Sequence, residues 1–494
     1  MSPSHTYPRC STGIEGLDEI LGGGLPRDRF YLVHGNPGVG KTTLALQFLM
    51  NGVRAGEKCL YITLSETTEE LESIARSHNW SLEGISLFEL SAVESQLSSE
   101  NQNTVFHPAE LELNQTTALL LKEIDRLKPS RVVFDSLSEM RLLAQSPLRY
   151  RREMLSLKTF FIGRHCTALL LDDNTGEKNE LQVQSLAHGV IQLTKELSDY
   201  GTVRHQVEIL KVRGVAFRKG THDYTIQTGG IVVYPRLVPA AHRTEFHKEV
   251  FPSGLPEFDQ LLGGGFDRGT SSVIMGPAGT GKSTLAMQFL SEAARRGERS
   301  AVFSFDENIG LALARAKSLD IDFEDGLNSG TIIAQQIDPA ELSPGELAHR
   351  IKDLVENQNV RVLLIDSLNG YMNAMPGERY LTLQLHEMLA YLSNKGVLTV
   401  MTLAQHGLVG SMHSPLDLTY LADTIVLMRF FEHQGGVKKA LSVIKKRSGL
   451  HESTIREFSS ASGKLCVGAP LAEFQGVLTG VPILIPRYAE GTDR

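Results

Sequence analysis

Short apolar runs alternate with amphipathic stretches along most of the chain. Phe30-Tyr31-Leu32-Val33-His34 is an apolar run of a length suited to a buried strand. An amphipathic helix is expected over 43–53, with Leu44, Phe48 and Leu49 on its apolar face. The turn Gly56-Glu57-Lys58 leads into a second run over 59–64, and 131–135 supplies another. The same order returns in the second half: a run over 272–275, a helix over 284–296, the turn Gly297-Glu298-Arg299, then runs over 300–305 and 361–366. Strands alternating with helices in this way predict an α/β fold, each half a doubly wound, mostly parallel sheet flanked by helices. The polar segment 94–114, with Ser98-Ser99 and Asn101-Gln102-Asn103, reads as a surface insertion.

The repetition extends to the glycines. Leu21-Gly22-Gly23-Gly24-Leu25-Pro26 is answered by Leu262-Gly263-Gly264-Gly265-Phe266, and 241 positions separate Gly22 from Gly263. Solenoid repeats run to about 20–50 residues, so this interval marks a duplicated domain. Val232 to Pro239 closes the first copy and 240–249 reads as a linker, giving domains 1–240 and 241–494. A chain of 494 residues is long enough for two cores.

Between the run and the helix of each half stands Gly-x4-Gly-Lys-Ser/Thr. The first is Gly35-Asn36-Pro37-Gly38-Val39-Gly40-Lys41-Thr42, followed by Thr43; the second is Gly276-Pro277-Ala278-Gly279-Thr280-Gly281-Lys282-Ser283, followed by Thr284. Lys41 and Lys282 keep the 241-residue interval. Glycines let backbone N–H groups close around phosphate oxygens, the lysine neutralises the terminal phosphates, and the hydroxyl is offered to Mg²⁺. The helix that follows aims its positive end at the same place. ATP and Mg²⁺ are therefore the expected ligands.

Three further groups are expected around each loop. Asp135 and Asp366 each end an apolar run and are each followed by Ser-Leu, which with Thr42 and Ser283 completes a metal set. Glu66 in one half and Asp306-Glu307 in the other close the strand next to the phosphate loop, where a carboxylate can activate the attacking nucleophile. These acids can also be read as helix caps, which Glu69 and Glu70 support locally. Coupling within the pair Asp306-Glu307 is expected to raise one carboxyl, equipping the second half better for chemistry on a hydroxyl. Late in each half a strand ends in a basic cluster, and alternation puts Lys211 with Arg213, and Lys445 with Arg447, on one face. They are candidates for trans-acting cations that stabilise a transferred phosphoryl group; the plainer reading is a charged sheet edge.

Composition narrows the classes. A net charge of −8 argues against a generally basic nucleic-acid binder. Arg149-Tyr150-Arg151-Arg152 is the best local candidate for such a surface and is expected on an exposed helix or a subunit rim. Cys10, Cys59, Cys166 and Cys466 lie far apart with no CxxC spacing, which fits a reducing cytoplasm rather than a disulfide or zinc framework. No apolar run approaches the roughly 18 residues of a membrane span, and the N-terminal residues lack a signal-peptide core. The 16 histidines show no metal-binding spacing; His34 reads as a strand residue and Trp80 as helix–sheet packing.

Taken together, the doubled units, the triple-glycine openings, both phosphate loops, Lys211-x-Arg213-Gly214 and Asp423-Thr424-Ile425 closely resemble the KaiC family, over about residues 10–482. That family comprises the central ATPase of the cyanobacterial circadian clock and its relatives in other bacteria and archaea. The resemblance implies two tandem RecA-like domains, a double-ring homohexamer with ATP–Mg²⁺ between neighbouring subunits, and a KaiB-like or other signalling partner. It also implies slow hydrolysis in the first ring and transfer of the γ-phosphate to a Ser-Thr pair in the second. By the match of motifs, Glu66 and the pair Asp306-Glu307 take the catalytic acid positions, and Lys211, Arg213, Lys445 and Arg447 the trans-acting basic ones. The chain departs from the family in three places. Thr419-Tyr420 stands where the Ser-Thr pair belongs, which leaves Thr419 as the candidate acceptor; Ser65 replaces an acid; and about a dozen residues follow Pro482, where clock members carry a longer tail that recruits an activator. The expected protein is a cytoplasmic ATPase and Ser/Thr autokinase acting as a signalling or timing switch. The alternative is a RecA- or RadA-type DNA-dependent recombination ATPase or helicase, which salt-dependent binding of single-stranded DNA would favour.

Overall fold

The computed structural model describes residues 7–89, 108–144, 146–161, 163–173, 184–196, 201–338, 340–373, 381–405, 420–461, 463–479 and 482–484. It forms two compact units, Met1–Arg236 and Leu237–Arg494. Numbering only the strands of the two large sheets, unit one contains β1 (Phe30–Gly35), β2 (Cys59–Thr63), β3 (Ile85–Glu89), β4 (Arg131–Asp135), β5 (Thr167–Asp173), β6 (Gly189–Glu196), β7 (Arg204–Val212), β8 (Thr221–Gln227) and β9 (Gly230–Tyr234). Their spatial order is β3-β2-β4-β5-β1-β6-β7-β8-β9. The six strands from β3 to β6 run parallel, and β7, β8 and β9 add an antiparallel wing.

Unit two repeats the plan with β10 (Ser271–Gly276), β11 (Arg299–Ser304), β12 (Ile332–Gln336), β13 (Val360–Asp366), β14 (Leu398–Ala404), β15 (Thr424–His433), β16 (Gly436–Lys446), β17 (Ile455–Ala461) and β18 (Lys464–Pro470). The order is β12-β11-β13-β14-β10-β15-β16-β17-β18, strand for strand that of unit one. The loop-bearing strand is central in both sheets.

Helices cover both faces, which is why the inner strands read as unbroken apolar runs. In unit one the helix Lys41–Arg54 lays Leu44, Phe48 and Leu49 against Tyr31, Val33 and Tyr61. The opposite face packs Leu32, Val132 and Phe134 against Met140 and Met154 of the helices Leu137–Ala144 and Pro147–Phe161. In unit two Leu285 and Phe289 of the helix Lys282–Arg295 meet Ile274, Val302 and Leu364. Val273, Phe303 and Ile365 face the helices Pro344–Glu356 and Leu381–Asn394.

The structure differs from expectation in two elements. Both loop helices begin at the lysine of the motif rather than two residues later, because Gly40 and Gly281 adopt left-handed φ of 86° and 103° and release the chain directly into the helix. The expected insertion over 94–114 is helical from Pro108, in the helix Pro108–Leu127, while 94–107 lies outside the described residues. Ala109, Glu110, Leu111, Glu112 and Leu113 are strong helix formers, and the polar clusters that suggest a loop all precede them.

Candidate active site

Each phosphate loop leaves the C-terminal end of its central strand. In unit one Val39 is buried and its carbonyl accepts from Tyr224 Oη at 2.6 Å, seating the loop on the antiparallel wing. The fit is close: a Cβ on Gly40 would come within 2.7 Å of Ile226 Cδ1, and one on Gly281 within 3.0 Å of Phe458. Lys41 Nζ donates to the carbonyls of Gly35 (2.8 Å) and Asn36 (3.1 Å) and pairs with Asp173 at 2.7 Å. Lys282 Nζ donates to Pro277 O at 2.8 Å, and burial lowers its affinity for a proton. The position of Asp173, paired with Gly35 in the sheet, is held in unit two by Ala404, paired with Gly276.

The hydroxyl of Thr42 lies 3.4 Å from Asp135 Oδ2, and that of Ser283 lies 3.0 Å from Asp366 Oδ1. Tyr61 Oη donates to Asp135 at 2.5 Å, and Thr402 Oγ1 donates to Asp366. Burial pushes both aspartyl carboxyls up, against these hydrogen bonds. A sunken carboxylate beside a hydroxyl is a pair of hard oxygen donors, suited to Mg²⁺ that takes its remaining ligands from phosphate and water. Among the described residues no cluster of three or more His, Cys, Asp or Glu forms a self-sufficient metal cage. The donor set thus fits a nucleotide-borne cation.

The acids behind the loops differ between units. A turn closed by Thr63 Oγ1, which donates to Glu66 O at 2.7 Å and accepts from Glu66 N–H at 2.9 Å, presents Glu66. Its Oε2 is buried without a hydrogen-bond partner. Burial, then the charges of Asp135 and Glu70, push its carboxyl up to about 7, with Lys41 opposing. In unit two Ser304 closes the equivalent turn on Glu307 O at 2.6 Å. There both oxygens of Glu307 are taken by Arg315, at 2.5 and 2.7 Å, while Asp306 accepts from Ser367 Oγ. The expected coupled pair is therefore two carboxylates with separate partners. Nor are β2 and β11 beside the loop strands in space: β5 and β4, or β14 and β13, lie between. They follow the loop strand in sequence without pairing with it in the sheet.

The basic clusters dock as the alternation implied. Lys211 Nζ donates to Gln184 O and Arg213 Nη2 to Ser185 O at 2.6 Å. Lys445 Nζ donates to Ala422 O at 2.7 Å, and Arg447 Nη2 to Tyr420 O at 2.9 Å. Burial lowers the proton affinity of Lys211 and Lys445, and the neighbouring arginine adds to it. Neither cluster faces its own loop. Val212 pairs with Gly189 and that with Tyr31, four residues before β1 ends at Gly35; Lys445 pairs with Ile425 and that with Val273, three before Gly276. At about 3.3 Å per residue the clusters lie roughly 10–13 Å back along the sheet from the loops. Thr419 lies outside the described residues, and Tyr420 beside it is exposed.

A family model for the ATPase KaiC matches residues 10–238 and, a second time, 251–468. The chain belongs to the KaiC ATPase family. Its two units are the tandem RecA-like domains of that family, and ATP binding follows from membership. The chain is similar to the circadian clock protein KaiC3 of Synechocystis, 26% identical over 488 residues covering 96% of this chain and 94% of that protein. It is also similar to the circadian clock oscillator proteins KaiC of Parasynechococcus marenigrum and Synechococcus elongatus, each 26% identical, covering 96% and 98% of this chain and 93% of each relative. Membership does not favour the recombination ATPase or helicase reading. Arg149, Arg151 and Arg152 are exposed on one helix, with Tyr150 buried beneath. Among the described residues no helix is long and apolar enough to cross a membrane.

Four partners in this KaiC-family site are absent from a reading of motifs: Tyr61 on Asp135, Asp173 on Lys41, Thr402 on Asp366 and Arg315 on Glu307. The first three come from strands far away in sequence and carry no local signal. Arg315 could have been found, because it lies eight residues, about two helical turns, past Glu307 on the helix capped by Asn308.

Proposed function

We propose that the chain is a cytoplasmic, Mg²⁺-dependent ATPase that assembles as a double-ring homohexamer, with nucleotide between neighbouring subunits. The observation that carries this reading is the position of Lys211, Arg213, Lys445 and Arg447, at the far end of the sheet from their own loops. A cation that has to meet a phosphate must meet a neighbour's.

At unit one, Lys41 leaves Asp173 to hold the terminal phosphates, Thr42 and Asp135 hold Mg²⁺, and Glu66 accepts a proton from water. The water oxygen bonds to the γ-phosphorus as the bond to the β–γ bridging oxygen breaks, giving ADP and inorganic phosphate. Bound Mg²⁺ supplies neutralisation of the phosphate charge. Lys211 and Arg213 of a neighbour stabilise the charge on the equatorial oxygens. Lys282, Ser283 and Asp366 take the corresponding places at unit two, with Glu307 as base and Lys445 and Arg447 as the trans cations. The second ring is also read as an autokinase that phosphorylates Thr419, with signalling or timing as its output and a KaiB-like protein as one candidate partner. The hydrogen bond from Arg447 to Tyr420 O supports this by bringing the basic pair beside the acceptor segment.

Mixing tests the ring. Chains carrying Lys41→Ala and chains carrying Arg213→Ala, each with Glu307→Gln to silence the second site, should be nearly inactive alone. A 1:1 mixture should recover about a quarter of the first-site turnover, the share of interfaces with an intact loop facing an intact cation. Recovery no greater than the sum of the parents would sink the trans assignment. For the kinase, incubation with γ-labelled ATP and mass spectrometry should place phosphate on Thr419. Label undiminished in Thr419→Ala would move the acceptor elsewhere.

A further inference from the structure

The helices Thr68–Ser77 and Ile309–Ser318 occupy the same place in the two units and start the same distance after the acid, since Glu66 and Glu307 keep the 241-residue interval of the loop lysines. Their seventh residues differ in kind: Ile74 in unit one, Arg315 in unit two. Ile74 joins the apolar core of its unit. Arg315 reaches back along its helix and grips Glu307 with Nη1 on Oε1 at 2.5 Å and Nη2 on Oε2 at 2.7 Å. Both residues of this pair are about 70% shielded from solvent.

We propose that Arg315 is a positioning residue that clamps Glu307 and holds hydrolysis at unit two below that at unit one. The inference rests on the reading of Glu66 and Glu307 as the bases of their sites. A carboxylate can take a proton from water only through an oxygen with a free lone pair aimed at it. In unit one Glu66 Oε2 has no partner. In unit two both oxygens are occupied by a planar fork whose geometry matches them, the strongest side-chain arrangement available to a carboxylate. Water at Glu307 must therefore compete with the fork for the carboxylate's lone pairs, whereas at Glu66 Oε2 it has no competitor. The clamp therefore lengthens the time that ATP remains intact at unit two, and leaves the phosphate loop, the metal donors and the trans cations untouched.

The test uses the full chain with Glu66→Gln, so that turnover reports unit two alone. Adding Arg315→Ile, the residue type of unit one, should raise kcat at least about five-fold with KM within about two-fold. Arg315→Lys, which keeps the charge but loses the fork, should fall between the two. The reciprocal Ile74→Arg, placed in a Glu307→Gln chain, should lower unit-one kcat by a similar factor. A kcat unchanged or reduced in Arg315→Ile, a change confined to KM, or an unaffected Ile74→Arg would overturn the clamp. The underlying reading has its own arm: Glu66→Gln with Glu307→Gln should abolish hydrolysis. Turnover persisting in that chain removes the glutamates as bases, whatever Arg315 does.

Discussion

At Glu66 a carboxyl raised to about 7 sits where a modest change in acidity changes its charge. Asp135, Glu70 and Asp173 push it up after burial has done so, and Lys41 pulls it down. A base must be deprotonated to act, so activity is present above this value and lost as pH falls through it. In a Glu307→Gln chain, kcat/KM for ATP should rise about ten-fold from pH 6 to pH 8 and then level off, because a single group titrating near 7 passes from about one-tenth to nine-tenths ionised over that span. A flat profile across that range would mean that Glu66 behaves as an ordinary surface glutamate and is not the base. Residues of this kind divide cleanly by legibility. Lys41, Thr42, Lys282 and Ser283 are fixed by a local pattern and need no partner to be recognised. Glu66 was legible as a position, but its unpaired oxygen was not, since that depends on which side chains fail to arrive.

At the scale of elements, each unit ties down the turn after its loop helix with a sunken arginine, and the two units find that arginine in different places. In unit one Arg131, at the start of β4 and almost fully buried, pairs with Glu57, donates to Ser11 O at 2.7 Å and to Phe48 O at 2.8 Å, and lies 4.7 Å from the Phe48 ring centre. In unit two the equivalent glutamate, Glu298, is met by Arg268, which precedes β10 and lies 4.7 Å from the Phe251 ring centre. Removing one partner of such a buried pair leaves the other charged and unsatisfied, at a cost of about 3–5 kcal/mol. Arg131→Ala should therefore lower the melting of unit one by about 10 °C in calorimetry of the whole chain. A shift within about 2 °C would show that water replaces the guanidinium without loss. The strands themselves could be read from Val132-Val133-Phe134 and Val362-Leu363-Leu364-Ile365, because burial on both faces demands continuous apolar residues. The spatial order could not be read. Nothing in residues 59–63 says that β5 and β4 will lie between that strand and β1.

For the whole molecule, the duplicated plan was the most legible feature, since one interval relates the glycine turns, the loop lysines and the acids. What the interval hides is how the copies have diverged around a shared frame. Asp173 faces one loop lysine where Ala404 stands beside the other, and Ile74 stands where its twin is Arg315. The helix that carries this last difference packs at the outer part of each sheet, while the loops lie at the centre and the basic clusters on the far side. On the clamp proposed above, substitution at its seventh position would adjust one unit's pace while leaving the phosphate loops and the basic clusters as they are. A lineage carrying this chain could retune one of its two engines in a single mutational step, keeping the other as a fixed reference.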